Sequence, residues 1–221
     1  MKVTPLRLEV SDSIGSVGAE LIAPEQMRAI ITLAHGAGAG MNQSFMTALA
    51  NELAQLNIGT LRFNFPFSEQ KKKRPDFPAV AHKAIEVAIN KAHELFPSTP
   101  LFVSGKSFGG RMSSQLLSKS SPDFVSGIIF FGFPLHPPGK PAVERADHLK
   151  NVKVPMLFLQ GTRDELAEWS LVEQVTSELP LATLHKLDGA NHAFKKEKEN
   201  LIPELARETN QWINNSLNSK R

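Results

Sequence analysis

The stretch that decides the fold is LFVSGKSFGG, residues 101–110, in which an apolar run meets a serine bounded by glycines. The apolar part is typical of a buried strand in a parallel sheet, and residues 108–118 follow with helical spacing. A serine between Gly105 and Gly109 on such a tight, strained turn presents its hydroxyl above the sheet. The stretch therefore predicts that Ser107 is a nucleophile. The alternative is an ordinary turn whose serine caps a helix.

Apolar runs on both sides of this stretch alternate with amphipathic segments, which indicates strand–helix–strand units and a mostly parallel sheet. The predicted strands are residues 3–10, 17–23, 29–34, 58–65, 100–104, 127–133, 154–160 and 182–187, and the predicted helices are residues 42–56, 78–96, 108–118, 165–178 and 199–217. The central strands are apolar on both sides, so helices are expected on both faces of an eight-stranded α/β sheet.

The connection between the sixth and seventh predicted strands has only about 20 residues, which is too short for a lid or cap domain. No linker rich in glycine, proline or serine divides the chain. We therefore expect residues 1–221 to form a single α/β domain without a cap.

The composition excludes several classes of protein. The 221 residues include no cysteine, which excludes a disulfide scaffold, thiolate metal sites and a cysteine nucleophile. The formal charge is only +3, and no tyrosine is present to stack on bases, so no nucleic-acid partner is expected. The one dense basic run, Lys71–Arg74, is either a solvated loop or attracts an anionic substrate or partner.

Membrane and export signals are not evident in the sequence. No apolar segment reaches the roughly 20 residues of a membrane span. The first ten residues, MKVTPLRLEV, lack the apolar region of a signal peptide. A soluble cytoplasmic protein without a membrane partner is the expectation.

A nucleophilic serine needs a base and an acid that orients the base. His192 lies in DGANHAF, residues 188–194, a loop after the last predicted strand, from which a side chain reaches back over the edge of the sheet. Asp164 stands just beyond the seventh predicted strand, and Asp188 is the alternative acid. The chain order Ser107, Asp164, His192 matches a known triad order for this geometry.

An oxyanion site requires two backbone N–H groups. Phe108 follows the nucleophile, and Ala37 in the loop HGAGAG, residues 35–40, is the expected second donor, with Gly38 as the alternative. A phosphate-binding reading of this loop fails because Met41 occupies the place of the third glycine of G-x-G-x-x-G. The scattered histidines lack zinc-binding spacing, so no metal and no other cofactor is expected.

Four residues are candidates for the substrate pocket by their place in the chain. Lys106 is expected to be exposed beside the nucleophile, where it would favour an anionic group. His136 and Lys140 lie in the proline-rich loop after the sixth strand, whose alternative role is a rigid surface connector. Gly38 is the fourth candidate, from the glycine-rich loop.

These motifs together resemble the α/β-hydrolase superfamily, in its small lidless, dienelactone-hydrolase-like branch. The similarity spans about residues 28–215. The stretches that carry it are HGAGAGMNQSFM, RFNFPF, GKSFGGRMSS, FFGFPLHPPGKP, QGTRDELA and DGANHAF. They are similar to a branch of largely uncharacterised predicted hydrolases that includes testis-expressed and chromatin-complex-associated proteins.

The resemblance implies that Ser107, Asp164 and His192 form a catalytic triad. It implies a carboxylesterase-like serine hydrolase acting on a small ester, thioester or related acyl substrate. Some members of the wider branch are scaffolds, so a catalytically silent interaction module with the same fold is the alternative. A peptidase is a weaker alternative, because neither a cap nor a propeller domain is present.

Overall fold

A computed structural model describes residues 3–197 and 199–218. Its main strands are β1 (Val3–Ser11), β2 (Gly15–Ile22), β3 (Ala29–Ala34), β4 (Ile58–Phe63), β5 (Leu101–Lys106), β6 (Val125–Phe131), β7 (Met156–Gly161) and β8 (Ala182–Leu187). They form one sheet in the order β1-β2-β4-β3-β5-β6-β7-β8. Strand β2 runs antiparallel to β1 and β4, and all other neighbours are parallel. This confirms the predicted eight-stranded, mostly parallel sheet.

The helices are α1 (Ser44–Gln55), α2 (Pro66–Glu69), α3 (Pro78–Leu95), α4 (Phe108–Leu117), α5 (Trp169–Ser177) and α6 (Ile202–Asn218). A 3-10 helix spans Glu144–Asn151, and a small hairpin pairs β9 (Lys195–Lys196) with β10 (Glu199–Asn200). Helices α3, α4 and α5 contribute to the core on one face of the sheet, and α1 and α6 to the core on the other.

The strand residues alternate between these two cores. Ile30 packs in the first core and its neighbour Ile31 in the second, and Phe130 and Phe131 divide in the same way. Successive side chains of a strand point to opposite faces, so a strand covered on both sides must be apolar throughout. This is why strands β3, β4, β5 and β7 are buried at every residue.

The structure departs from the sequence prediction mainly at short elements. Each predicted strand is present, with ends within two residues of those expected. The helix predicted over 199–217 begins only at Ile202, because Glu199–Asn200 pairs with Lys195–Lys196 instead. Helix α2 and the 3-10 helix were not predicted, because one or two turns are too short to show a clear periodicity.

The connection 132–155 between β6 and β7 contains only the 3-10 helix. No cap domain is therefore inserted at this place, as the sequence predicted. Among the described residues, no helix is both long enough and apolar enough to cross a membrane.

Candidate active site

Ser107 occupies a sharp turn between β5 and α4. Its φ of 51° and ψ of −116° lie in a region that costs a non-glycine residue roughly 1–3 kcal/mol. The two elements approach closely on either side of it. A Cβ at Gly105 would lie 2.3 Å from the Gly110 nitrogen, and one at Gly109 would lie 2.5 Å from the Ala34 carbonyl oxygen. Both glycines are therefore needed for this turn to hold Ser107 at the carboxyl edge of the sheet.

The imidazole of His192 lies between Ser107 and Asp164. Its Nε2 is 2.9 Å from Ser107 Oγ, and its Nδ1 is 2.7 Å from Asp164 Oδ2. A carboxylate only accepts hydrogen bonds, so Nδ1 carries the hydrogen and Nε2 is free to accept one from the hydroxyl. The three residues follow β5, β7 and β8, whose carboxyl ends meet at one edge. Such an arrangement can pass a proton from a hydroxyl to an imidazole beside a buried carboxylate.

The carboxylate of Asp164 is buried and held from three sides. Besides His192, it accepts hydrogen bonds from Gln160 Nε2 at 2.6 Å and from the Leu166 backbone N–H at 2.8 Å. Gln160 Oε1 in turn accepts the Phe133 N–H at 2.8 Å, which fixes the orientation of the amide. Gln160 was not singled out from the sequence. The signal in the sequence was a glutamine at the end of an otherwise apolar strand. Such a side chain is expected to be buried, and a buried polar group needs a hydrogen-bond partner.

Asp188, the alternative acid, does not contact the imidazole. Its side chain is 81% exposed, and its contacts are Thr162 Oγ1 at 3.5 Å and Lys186 Nζ at 3.9 Å. The structure thus brings Asp164 to His192, and it leaves Asp188 on the surface of the same loop.

Lys106 is buried, which contradicts the expectation of an exposed position beside the nucleophile. Its ammonium donates a hydrogen bond to the His192 carbonyl oxygen at 2.6 Å and lies 4.9 Å from the centre of the Phe194 ring. The loop after β8 covers this side chain, and its path was not evident from the sequence. Burial lowers the pKa of Lys106 from its ordinary value of 10.5 to about 8, although Asp164 and Glu165 oppose this shift.

The buried ammonium predicts a pH-dependent stability. Between pH 8 and 10.5 the unfolded chain keeps a proton on Lys106 that the folded protein has released, so stability rises with pH over this window. Lys106→Met removes this pH dependence, because it replaces the lysine with an apolar side chain of similar length. We expect the unfolding free energy of the wild type to rise by about 2–3 kcal/mol relative to this variant between pH 7 and 10.5, measured by urea denaturation.

The control for this comparison is Lys140→Met, because Lys140 is an exposed lysine. That variant removes the same charge from the surface, so it reports the effect of losing a positive charge without the burial of Lys106. If the difference in unfolding free energy between Lys106→Met and the wild type does not change with pH, this result would contradict a buried ammonium at Lys106.

His35 holds the glycine-rich loop after β3 in place. Its Nδ1 donates to the Gly36 carbonyl oxygen at 2.8 Å, and its Nε2 accepts the Phe65 N–H at 3.0 Å. Burial lowers the pKa of His35 to about 4, so the ring is neutral at pH 7. The next residues of the loop bring Ala37 to the site. Within the described part of the chain, the N–H groups of Ala37 and Phe108 donate to no protein acceptor.

A cavity of about 450 Å³ opens beside Ser107. Ala37 and Phe108 line it together with that serine, so two N–H groups without protein acceptors belong to residues at the same opening. Much of the remaining wall is apolar and includes Met112 and Leu166. The cavity can therefore accept a small, partly apolar molecule next to the Ser107 hydroxyl.

The four pocket candidates named from the sequence do not line this cavity, which corrects that prediction. Lys106 lies beneath the His192 loop. His136 is buried, with Nδ1 bonded to the Pro137 carbonyl oxygen at 2.8 Å and Nε2 accepting the Glu168 N–H at 2.8 Å. Both ring nitrogens of His136 are used to join two loops. Gly38 and Lys140 are exposed, and neither belongs to the wall of the cavity.

Residues 3–197 and 199–218 contain no group of three or more histidine, aspartate or glutamate side chains placed to hold a metal ion.

An eight-stranded, mostly parallel sheet with a serine at a strained strand-to-helix turn defines the α/β-hydrolase class of proteins. Residues 27–215 match the family described as the alpha/beta hydrolase domain. The chain therefore belongs to this family, and the absence of a cap between β6 and β7 places it in the small lidless branch.

Several solved structures share this fold. Dienelactone hydrolase from Anabaena variabilis superposes with a TM-score of 0.76 and 17% identity, covering 96% of this chain and 96% of that chain. Est1E from Butyrivibrio proteoclasticus superposes with a TM-score of 0.75 and 14% identity, covering 96% of this chain and 98% of that chain. XC6422 from Xanthomonas campestris is described as a serine hydrolase without lid. It superposes with a TM-score of 0.73 and 21% identity, covering 96% of this chain and 95% of that chain. At these identities the similarity establishes the fold.

Proposed function

We propose that the protein is a serine hydrolase that cleaves a small ester, thioester or related acyl substrate through Ser107, His192 and Asp164. The observation that carries this proposal is the unbroken chain of contacts from Ser107 Oγ through the imidazole to the carboxylate, at 2.9 and 2.7 Å. Membership of the alpha/beta hydrolase family supports it.

In the first half of the reaction, Ser107 Oγ bonds to the acyl carbon as its proton moves to His192 Nε2. The electron pair of the carbonyl bond moves onto its oxygen. Asp164 stays ionised and stabilises the imidazolium. The N–H groups of Ala37 and Phe108 donate to the new oxyanion, and such a donor is worth about 3–4 kcal/mol of barrier.

The intermediate then collapses, and the bond between the acyl carbon and the leaving oxygen or sulfur breaks. His192 gives its proton to that atom, and an alcohol or thiol departs from an acyl-Ser107. In the second half, water loses a proton to His192 and adds to the acyl carbon. The second intermediate expels Ser107 Oγ, which regains the proton, and the carboxylic acid leaves.

The size of the site favours a modest substrate. Its volume of about 450 Å³ lies within the roughly 300–1,000 Å³ of small-molecule sites. The connection 132–155 adds no cap that would enclose a longer chain. Ester or thioester substrates with short acyl groups therefore fit this site best.

Labelling with a fluorophosphonate probe tests the proposal directly, because the probe reacts only with an activated serine. We expect the folded wild type to bind one probe molecule, located on Ser107 by mass spectrometry of the digested protein. The heat-unfolded protein is expected to remain unlabelled, since the activation needs His192 and Asp164 in place.

A folded wild-type protein that resists the probe would overturn the proposal and favour a catalytically silent interaction module. A panel of short acyl esters beside peptide amides of matched size separates an esterase from a peptidase. We expect turnover of the esters and none of the amides.

A further inference from the structure

Two arginines line the cavity beside Ser107: Arg111 from α4 and Arg145 from the 3-10 helix. Among the residues that the structure describes, neither forms an ion pair. The Nε of Arg111 is buried without a hydrogen-bond partner. The buried Arg62 differs in having an ion pair, with Glu20 at 2.5 Å, although its Nε also lacks a hydrogen-bond partner. Removing a guanidinium from water without an anionic partner is unfavourable, so the pair of arginines points to a missing anion.

The two guanidinium groups also lie close enough to affect each other. Burial and the positive charge of Arg145 together lower the pKa of Arg111. Like charges that share a half-buried site repel, and a negative group between them would relieve both the repulsion and the desolvation.

Among the described residues, the carboxylate that lines the cavity does not fill this role. Asp76 lines the same opening, but its Oδ2 accepts the Phe67 N–H at 2.8 Å, and it forms no ion pair with either arginine. The exposed basic run Lys71–Arg74 directly precedes Pro75 and Asp76 in the chain. The run adds positive charge near the cavity, which raises the local concentration of anions.

Arg111 stands one helical turn after the nucleophile. Its backbone N–H donates to the Ser107 carbonyl oxygen at 3.1 Å, so the two residues are one helical turn apart, or about 6 Å along the axis. Helical side chains tilt toward the N-terminus of their helix, which directs Arg111 toward Ser107. An anion at Arg111 would therefore lie only a few bonds from an acyl carbon at Ser107.

We propose that Arg111 and Arg145 bind an oxyanion group, a carboxylate or a phosphate, that the substrate carries a few bonds from its scissile acyl carbon. This inference rests on the proposed hydrolase function and narrows its substrate class to anionic acyl esters or thioesters. The planar guanidinium matches two oxygens of either group, and the resulting charge-assisted hydrogen bonds are stronger than neutral ones.

Two esters with the same leaving group test this proposal. In mono-4-nitrophenyl glutarate, about three methylene groups separate a carboxylate from the scissile carbonyl, which suits the spacing of one helical turn. In 4-nitrophenyl hexanoate, a neutral chain of similar length takes its place. We expect kcat/KM of the wild type to be roughly 10- to 100-fold higher for the glutarate ester.

Arg111→Gln and Arg145→Gln are expected to lower the ratio of the two kcat/KM values by roughly 10-fold each, and the double variant by more. Arg111→Lys keeps the charge without the planar fork, so it is expected to fall between the wild type and Arg111→Gln. Arg207→Gln is the matched control, because it removes the same charge from an exposed position on α6. Far-ultraviolet circular dichroism and Tm show that each variant is folded, and Arg145→Gln provides a second test if Arg111→Gln is not.

Inhibition of hexanoate hydrolysis by glutarate and by inorganic phosphate distinguishes the two anions, since the stronger inhibitor identifies the group that the arginines bind. A ratio that is the same in the wild type and the arginine variants would overturn this inference. If Ser107-dependent hexanoate hydrolysis persists in that case, the proposed hydrolase function stands. If neither ester is cleaved and the probe fails to label Ser107, the hydrolase function falls, and this inference falls with it.

Discussion

Ser107→Ala is expected to lower kcat for ester hydrolysis by about 10⁴- to 10⁶-fold while the protein stays folded. The hydroxyl supplies the atom that forms the acyl-enzyme, and among the described residues no second hydroxyl side chain lines the cavity. Alanine accepts the same strained backbone as serine without clashing with the packed glycines around it, so Tm is expected to change little. Steady-state hydrolysis of a 4-nitrophenyl ester measures the loss.

The matched control for this variant is Ser113→Ala. Ser113 lies on the same helix, α4, and its buried Oγ has no hydrogen-bond partner in the described residues. Removing an unpaired hydroxyl is nearly neutral or stabilising. We expect full activity from Ser113→Ala, and a comparable rate from Ser107→Ala would exclude an acyl-enzyme on Ser107.

Asp164→Asn is expected to lower kcat by about 10⁴-fold, the second-largest loss. An amide at this place can donate to Nδ1 of His192, which stabilises the tautomer with its hydrogen on Nε2. In that tautomer the imidazole no longer accepts the proton of Ser107. The imidazolium that forms during attack also loses its negative partner at 2.7 Å.

Asp188→Asn is the control that separates the two candidate acids. Its side chain is exposed and does not touch the imidazole, so its loss is expected to change kcat less than about twofold. The reverse pattern, with a large loss for Asp188→Asn and a small one for Asp164→Asn, would move the acid to Asp188. The Tm of each variant shows whether it is folded. For Asp164→Asn it also shows whether a changed hydrogen bond with Gln160 unfolds the protein.

The layout of the sheet was predictable because it depends on local patterns. Short apolar runs such as residues 29–34 have to be covered on both faces, and this alone implies parallel strands with helices above and below. The glycines around Ser107 indicate a close approach of strand and helix that depends on few other residues. The same local logic led to Asp164 and His192, since each follows the end of a strand at the same edge.

The surroundings of the site were less predictable because they depend on long-range packing. Lys106 is buried only because the loop carrying His192 and Phe194, more than 80 residues later in the chain, folds over it. His136 has the appearance of a pocket residue, yet its ring connects two loops through backbone groups. The sequence did not indicate a role for Arg111, because an arginine one helical turn after a serine does not form a recognisable motif. Only the cavity reveals its unpaired guanidinium.

The connection between β6 and β7, which holds a 3-10 helix and no cap domain, has a kinetic consequence. An enzyme whose site is closed by a lid is often limited by the opening of that lid, on a microsecond to millisecond timescale. For the proposed hydrolase, substrates and products exchange without a lid-opening step, so acyl transfer is expected to limit turnover. Water would also reach the acyl-enzyme as freely as any alcohol does. The partition between hydrolysis and transesterification would then follow the concentrations and nucleophilicities of the two acceptors rather than selective exclusion of water.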